Sequence, residues 1–155
     1  DAYQVLEEPT LIKSFEPHMH AAGVRTCLEA IWGHTIETLN CVGYDHNWVI
    51  VYDYDDDYAP LLPKGTILKI EAWHDNTSTK KGNPDPNVWV GYGDRTVDEM
   101  AHAWVNVTYM ADKDYSDELA ARRERQASKR STQQQQQLAP HSFGSAAVLR
   151  SGTAL

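Results

Sequence analysis

Cysteine is scarce in this chain of 155 residues, with Cys27 and Cys41 the only two. That argues against a cysteine-rich zinc site, which needs three or four thiolates or a mixed Cys/His cage. Long apolar runs are missing as well. None approaches the roughly 20 residues that a helix needs to cross a bilayer, so no membrane span is expected. The chain shows no signal peptide and opens on Asp1 rather than Met, so we expect a mature or excised fragment. Basic charge is in deficit, with 14 Lys/Arg against 22 Asp/Glu and a formal net charge of −8. A deficit of that size argues against nucleic acid as a partner, since phosphate binding needs clustered cations. The charge is uneven. Residues 1–110 hold 7 Lys/Arg against 17 Asp/Glu, a net of −10, and residues 111–155 hold 7 against 5, a net of +2.

What is present is β-branched and aromatic residues, punctuated by Gly and Pro every ten residues or so. The length suits one domain with a real core, and the pattern predicts many short strands. Tyr3–Leu6 and Leu11–Phe15 read as strands, and Pro17 places the segment after them at a sheet edge, because proline cannot donate to a ladder. Gly23 marks a turn or bulge. Val24–Trp32 and Ile36–Val42 read as a hairpin closed by a three-residue loop at Gly33-His34-Thr35, which puts Cys27 opposite Cys41. Cross-strand Cβ atoms about 4.5–5.5 Å apart lie near the 3.5–4.5 Å of a disulfide, so the pair is expected either bridged or as two buried thiols. A bridge would imply an oxidising, extracytoplasmic compartment, periplasmic or secreted.

Further strands are expected at Trp48–Tyr52, Thr66–Trp73, Val88–Tyr92 and Ala101–Met110. Asp53–Asp57 lacks the glycine and terminal glutamate of an EF-hand loop and reads as a solvated acidic run. Asp75–Asn87 is a long loop of the kind that tends to carry function. From Asp114 to Arg130 a charged helix is expected, and from about Ser131, where Gln133–Gln137 begins a biased tail, disorder. The basic residues Arg122 to Arg130 read as a solvated stretch.

The chemistry centres on Glu16-Pro17-His18-Met19-His20. Histidines at i and i+2 share one face of a strand, with Cα atoms roughly 7 Å apart, and can converge on one ion or be a surface pair. The remaining histidines are His34, His46, His74, His102 and His141. His46, in a polar-aromatic loop, is expected to be structural. Met100 is either a core residue or a third ligand; a thioether is a soft donor that favours Cu(I).

Taken in order, Pro17-His18-Met19-His20, Tyr44-Asp45-His46-Asn47-Trp48, Asp75-Asn76-Thr77, Asn83-Pro84-Asp85-Pro86 and Asp98-Glu99-Met100 form a recognisable set. The set resembles the C-terminal domain of the type II, ascorbate-dependent copper monooxygenases, the superfamily of peptidylglycine α-hydroxylating and dopamine β-monooxygenase, and is most similar to bacterial relatives. It covers about residues 3–110. The resemblance implies an all-β, antiparallel, jelly-roll-type sandwich over residues 1–110, with 111–155 as helical or disordered tail. It implies one copper held by His18, His20 and Met100, where O2 and a small or peptidic substrate react. It also implies a second copper in a preceding domain of the parent chain, because hydroxylation consumes two electrons.

The departures shape the expected substrate. In the peptide-amidating members an Arg, an Asn and a Tyr hold the substrate carboxylate. Glu16, His102 and Trp104 stand at those positions here. A carboxylate at Glu16 repels an anionic substrate end, which argues against C-terminal glycine peptides. His102, two residues beyond Met100 on one strand face, is expected as a group behind the ligands or as a fourth ligand. The expectations are thus a copper monooxygenase domain, a copper-binding or electron-transfer module without hydroxylase activity, or a metal-free β-sandwich binding domain.

Overall fold

In the computed structural model, which describes residues 1–83 and 85–138, eight strands precede one long helix. The strands are β1 (Ala2–Val5), β2 (Thr10–Met19), β3 (Gly23–Trp32), β4 (Thr35–Gly43), β5 (Tyr52–Asp53), β6 (Leu61–Leu62), β7 (Ile67–His74) and β8 (Ala101–Tyr109). The helix is α1 (Asp112–Leu138). All strand pairs are antiparallel and fall into two sheets. One has the order β1-β7-β3-β4; in the other, β8 lies along one side of β2 while β5 and β6 share its opposite side. Ile12, Phe15 and Leu62 from the second sheet meet Leu28, Ala30 and Leu68 from the first in one shared core. The expected all-β, antiparallel class is therefore observed.

The β3–β4 hairpin reaches its expected register by a different route. Trp32 pairs with Thr35, so the loop has two residues rather than three. Gly33, with φ +54°, takes the first central position, as a II′ turn requires. A bulge at Leu39 then supplies the missing residue. Glu29 pairs with Thr38 but Leu28 pairs with Asn40, and Cys27 falls opposite Cys41 after all. Their Cα atoms are 4.0 Å apart and the two are disulfide-bonded.

Two expected strands do not form. Of Trp48–Tyr52 only Tyr52 joins a ladder, against Phe15, and Trp48 through Val51 are exposed. Val88–Tyr92 is loop apart from one bridge between Tyr92 and Glu99. Apolar character alone does not make a strand; a free sheet edge has to accept its backbone. Pro17 is likewise only half as expected. β2 is interior at Ser14 and Phe15, where β5 and β8 flank it, and an edge at Pro17–Met19, where β8 alone pairs.

The helix starts near its expected place but continues through the glutamine tract to Leu138, so residues 131–138 are helical rather than disordered. The remainder of the expected disordered tail, 139–155, lies outside the described residues. The acidic run is solvated at Asp53, Asp55 and Asp56, as expected, but not at Asp57. The Asp57 carboxylate accepts hydrogen bonds from Arg125 (2.8 Å) and Lys129, and Arg122 donates to the carbonyls of Asp56 (3.0 Å) and Ala59. These two cations hold the Asp57 carboxyl below its usual range. The basic cluster of α1 thus docks onto the acidic loop of the same chain.

Candidate metal centre

β2 would not carry His18 on the face away from the core without an irregularity. Ile12 pairs with Val107, Ser14 with Asn106, and Phe15 with Val105. Lys13 is the extra residue. Three steps along β2 therefore match two along β8, and the pleat changes phase. Before the bulge Thr10 and Ile12 face the core; after it Phe15, Pro17 and Met19 do. Strict alternation from Ile12 would have turned Glu16 and His18 inward. The bulge sends Glu16 and His18, both half-buried, to the other face, and His20, just past the end of β2, follows the same phase but is buried.

On β8 the partners follow. Glu16 lies opposite Trp104 and His18 opposite His102. The His20 amide continues the ladder by donating to the Met100 carbonyl at 3.3 Å. Directly opposed residues project to the same side. His18, His20, Met100, His102 and Trp104 therefore share one face, as expected from the sequence. The His18 and His20 ring centroids are 5.5 Å apart and the planes lie at 79°. With metal–nitrogen bonds of about 2.0 Å, two imidazoles on one ion hold their centroids roughly 5–5.5 Å apart, so the pair fits a shared ion.

Several contacts fix these rings. The Asp98 carbonyl lies 3.1 Å from His20 Nδ1. A carbonyl only accepts, so Nδ1 carries the hydrogen and Nε2 keeps the lone pair, the usual orientation of a metal-binding histidine. Asp98 is itself held by Arg95, whose Nη2 donates to Oδ1 at 2.6 Å and whose Nε donates to Oδ2 at 3.0 Å. This ion pair keeps the Asp98 carboxyl below its usual range. His102 stacks on His18 at 4.6 Å and 27°. Trp104 closes edge-on to both imidazoles, at 5.4 Å and 4.4 Å. Burial lowers the His18 pKa, and the neighbouring His102, His20 and His46 lower it further against the opposing effect of Glu16. The shift favours the neutral imidazole, the form that donates a lone pair.

Met19 anchors the pair from below. It is fully buried, and Thr26 donates a hydrogen bond to its sulfur at 3.1 Å. Its carbonyl accepts from the Tyr44 hydroxyl at 2.6 Å, with His46 Nδ1 at 3.4 Å. Gly23 leaves room for it: a Cβ there would stand 2.6 Å from Met19 Cβ. His46 is thereby brought to 6.5 Å from the His20 ring. Sequence reasoning assigned it a structural role because its loop neighbours offered no partner; the partner is Met19, across the open side of β2. His74, also unassigned, points Nε2 at the Met100 carbonyl, 3.5 Å away.

Among the described residues, no three His, Cys, Asp or Glu side chains form a group able to hold a metal ion. The expected set of two histidines and a thioether lies outside that pattern, whereas His102 and His46 do not complete an all-carboxylate or imidazole cage. A stacked ring beside His18 is poorly disposed to aim its in-plane lone pair at the same ion. His102 therefore serves better as the neighbour that packs and orients His18 than as a fourth ligand. No family model, curated protein or solved structure matches this chain.

Proposed function

We propose that residues 1–110 are the mononuclear copper domain of a copper-dependent monooxygenase, a jelly-roll-type sandwich. The observation that carries this reading is the pair His18, half-buried, and His20, buried, spaced for one ion, with Met100 in cross-strand register. Two imidazoles and a thioether form a donor set that suits copper in both oxidation states and favours Cu(I). Bound copper would supply the redox chemistry for activating O2 towards C–H hydroxylation.

The chain's own residues have distinct tasks in this reading. His18 and His20 bind one ion, His20 through Nε2 because Asp98 holds Nδ1. Met100 adds the soft donor. His102 and Trp104 cover the His18 ring and restrict access of water from that side. Glu16 sets a carboxylate on the flank and disfavours anionic substrate ends there. The second electron would come from a preceding copper domain of the parent chain. The Cys27–Cys41 bridge supports an extracytoplasmic location. A copper carrier or electron-transfer module is the second reading, favoured by Glu16, His102 and Trp104 standing where the amidating relatives hold their substrate.

Copper titration of the metal-free chain tests the proposal. One equivalent is expected, lost on combined His18→Ala and His20→Ala replacement. Met100→Ile is expected to weaken Cu(I) more than Cu(II), since softness is what sulfur contributes. Stoichiometry near zero refutes both readings, and equal losses make Met100 a packing residue. Substrate-dependent, ascorbate-driven O2 uptake by the parent protein separates enzyme from carrier.

A further inference from the structure

A cleft of about 460 Å³ opens beside the histidines, between the loop at Tyr44–Asn47 and the loop that carries Asp75 to Gly82. Ala21, one residue past His20, forms part of its lining, and so does His46, whose ring lies 6.5 Å from that of His20. Anything held there is therefore adjacent to the candidate ligands.

The lining carries both signs of charge. Asp45 and Asp75 contribute carboxylates, Lys80 and Lys81 ammonium groups. The Lys80 ammonium is tethered by donating to the Gly23 carbonyl at 2.9 Å, over the turn between β2 and β3. Asp45 uses Oδ1 to accept from the Asn47 amide at 2.9 Å, and Asp75 uses Oδ1 to accept from the Thr77 amide at 2.9 Å and hydroxyl at 2.7 Å. Each carboxylate is thereby oriented by one oxygen while the other is left out of the turn. A purely anionic ligand would meet two aspartates, and a purely cationic one two lysines. A molecule with both charges satisfies the set, because complementarity is rewarded only when every charge finds its opposite.

We propose that this cleft binds a small zwitterion, an amino acid or short peptide with both termini free, as the substrate subsite beside His20. The class of substrate rests on the copper reading; the binding of the zwitterion does not, and can be measured without metal. The full chain, kept metal-free with EDTA, is titrated by calorimetry with Ala-Ala, N-acetyl-Ala-Ala and Ala-Ala amide. Ala-Ala is expected to bind tightest, with each blocked peptide about two- to fivefold weaker, the range of one exposed ion pair. Lys81→Ala, which leaves the Lys80 tether intact, is expected to weaken Ala-Ala and leave Ala-Ala amide unchanged. Equal binding of the three peptides, no binding of any, or indifference to Lys81→Ala with circular dichroism unchanged overturns the proposal. Copper uptake with no peptide binding overturns the cleft and spares the metal site; peptide binding with no copper uptake does the reverse.

Discussion

Gly23→Ala is the sharpest probe of how the histidines are held. Gly23 has no left-handed backbone to protect, so the replacement acts through contact alone. The added Cβ would sit 2.6 Å from Met19 Cβ, 2.9 Å from its sulfur and 3.0 Å from its methyl carbon. The nearest clash is with Cβ, which no rotamer change can move. The strand must shift instead, and Met19 is bound on its other side by Thr26 and Tyr44. Overpacking of this kind costs about 1–3 kcal/mol. For a chain of this size that is roughly 2–12 °C in melting temperature. The displaced residue lies between His18 and His20, so the imidazole spacing changes with it, and copper affinity is expected to fall as well as stability. Thermal unfolding of the metal-free protein by far-ultraviolet circular dichroism, paired with a copper titration at low temperature, reads both effects. A melting temperature within about 1 °C of the parent, with unchanged copper affinity, would show that Met19 does not couple packing to the site.

Two other outcomes follow from the fold. The Cys27–Cys41 bridge joins residues 14 apart in sequence, and closing a loop of that size stabilises the folded state by about 3 kcal/mol. Reduction should lower the denaturant midpoint accordingly, with a gain of two hydrogens in mass; an unchanged mass would remove the bridge. The docking of α1 should depend on pH through Asp57, whose carboxyl is depressed by Lys129 and Arg125. A depressed carboxyl stabilises above its unfolded pKa and loses that contribution as pH falls through its folded one. Amide protection factors in Glu118–Lys129, exchange normalised to the intrinsic rate at each pH, are thus expected to fall below the ordinary carboxylate range, and Asp57→Asn to produce the same fall at neutral pH. Protection in Asp57→Asn equal to the parent would show that the pair carries no docking energy.

Much of this was legible in residue order. The alternation in Thr66–Trp73 and Ala101–Met110 marked β7 and β8 because each has one face on the core. The cysteine pairing was predictable, although by a compensation of errors: a shorter turn and an unforeseen bulge at Leu39 restore the expected register. The bulge at Lys13 was invisible, since a Lys between Ile and Ser fits an outward position in either phase. His46 and Tyr44 were undervalued because the carbonyl they approach belongs to a residue 25 or more positions away, exposed only where β2 runs past its last neighbour. Trp48–Val51 and Val88–Tyr92 misled for the opposite reason: their composition suits a strand, and no ladder accepts them.

The extra residue at Lys13 lets two runs of opposite phase share one strand. Removing it would leave Ile12 and Phe15 two positions apart on one face, so the phase beyond would survive without the bulge and His18 would keep its side. Keeping the residue while losing the bulge is what would turn His18 inwards and Phe15 outwards. The facing of this strand is therefore decided by where the ladder takes up its spare residue, a property of pairing that no count of histidines and methionines records.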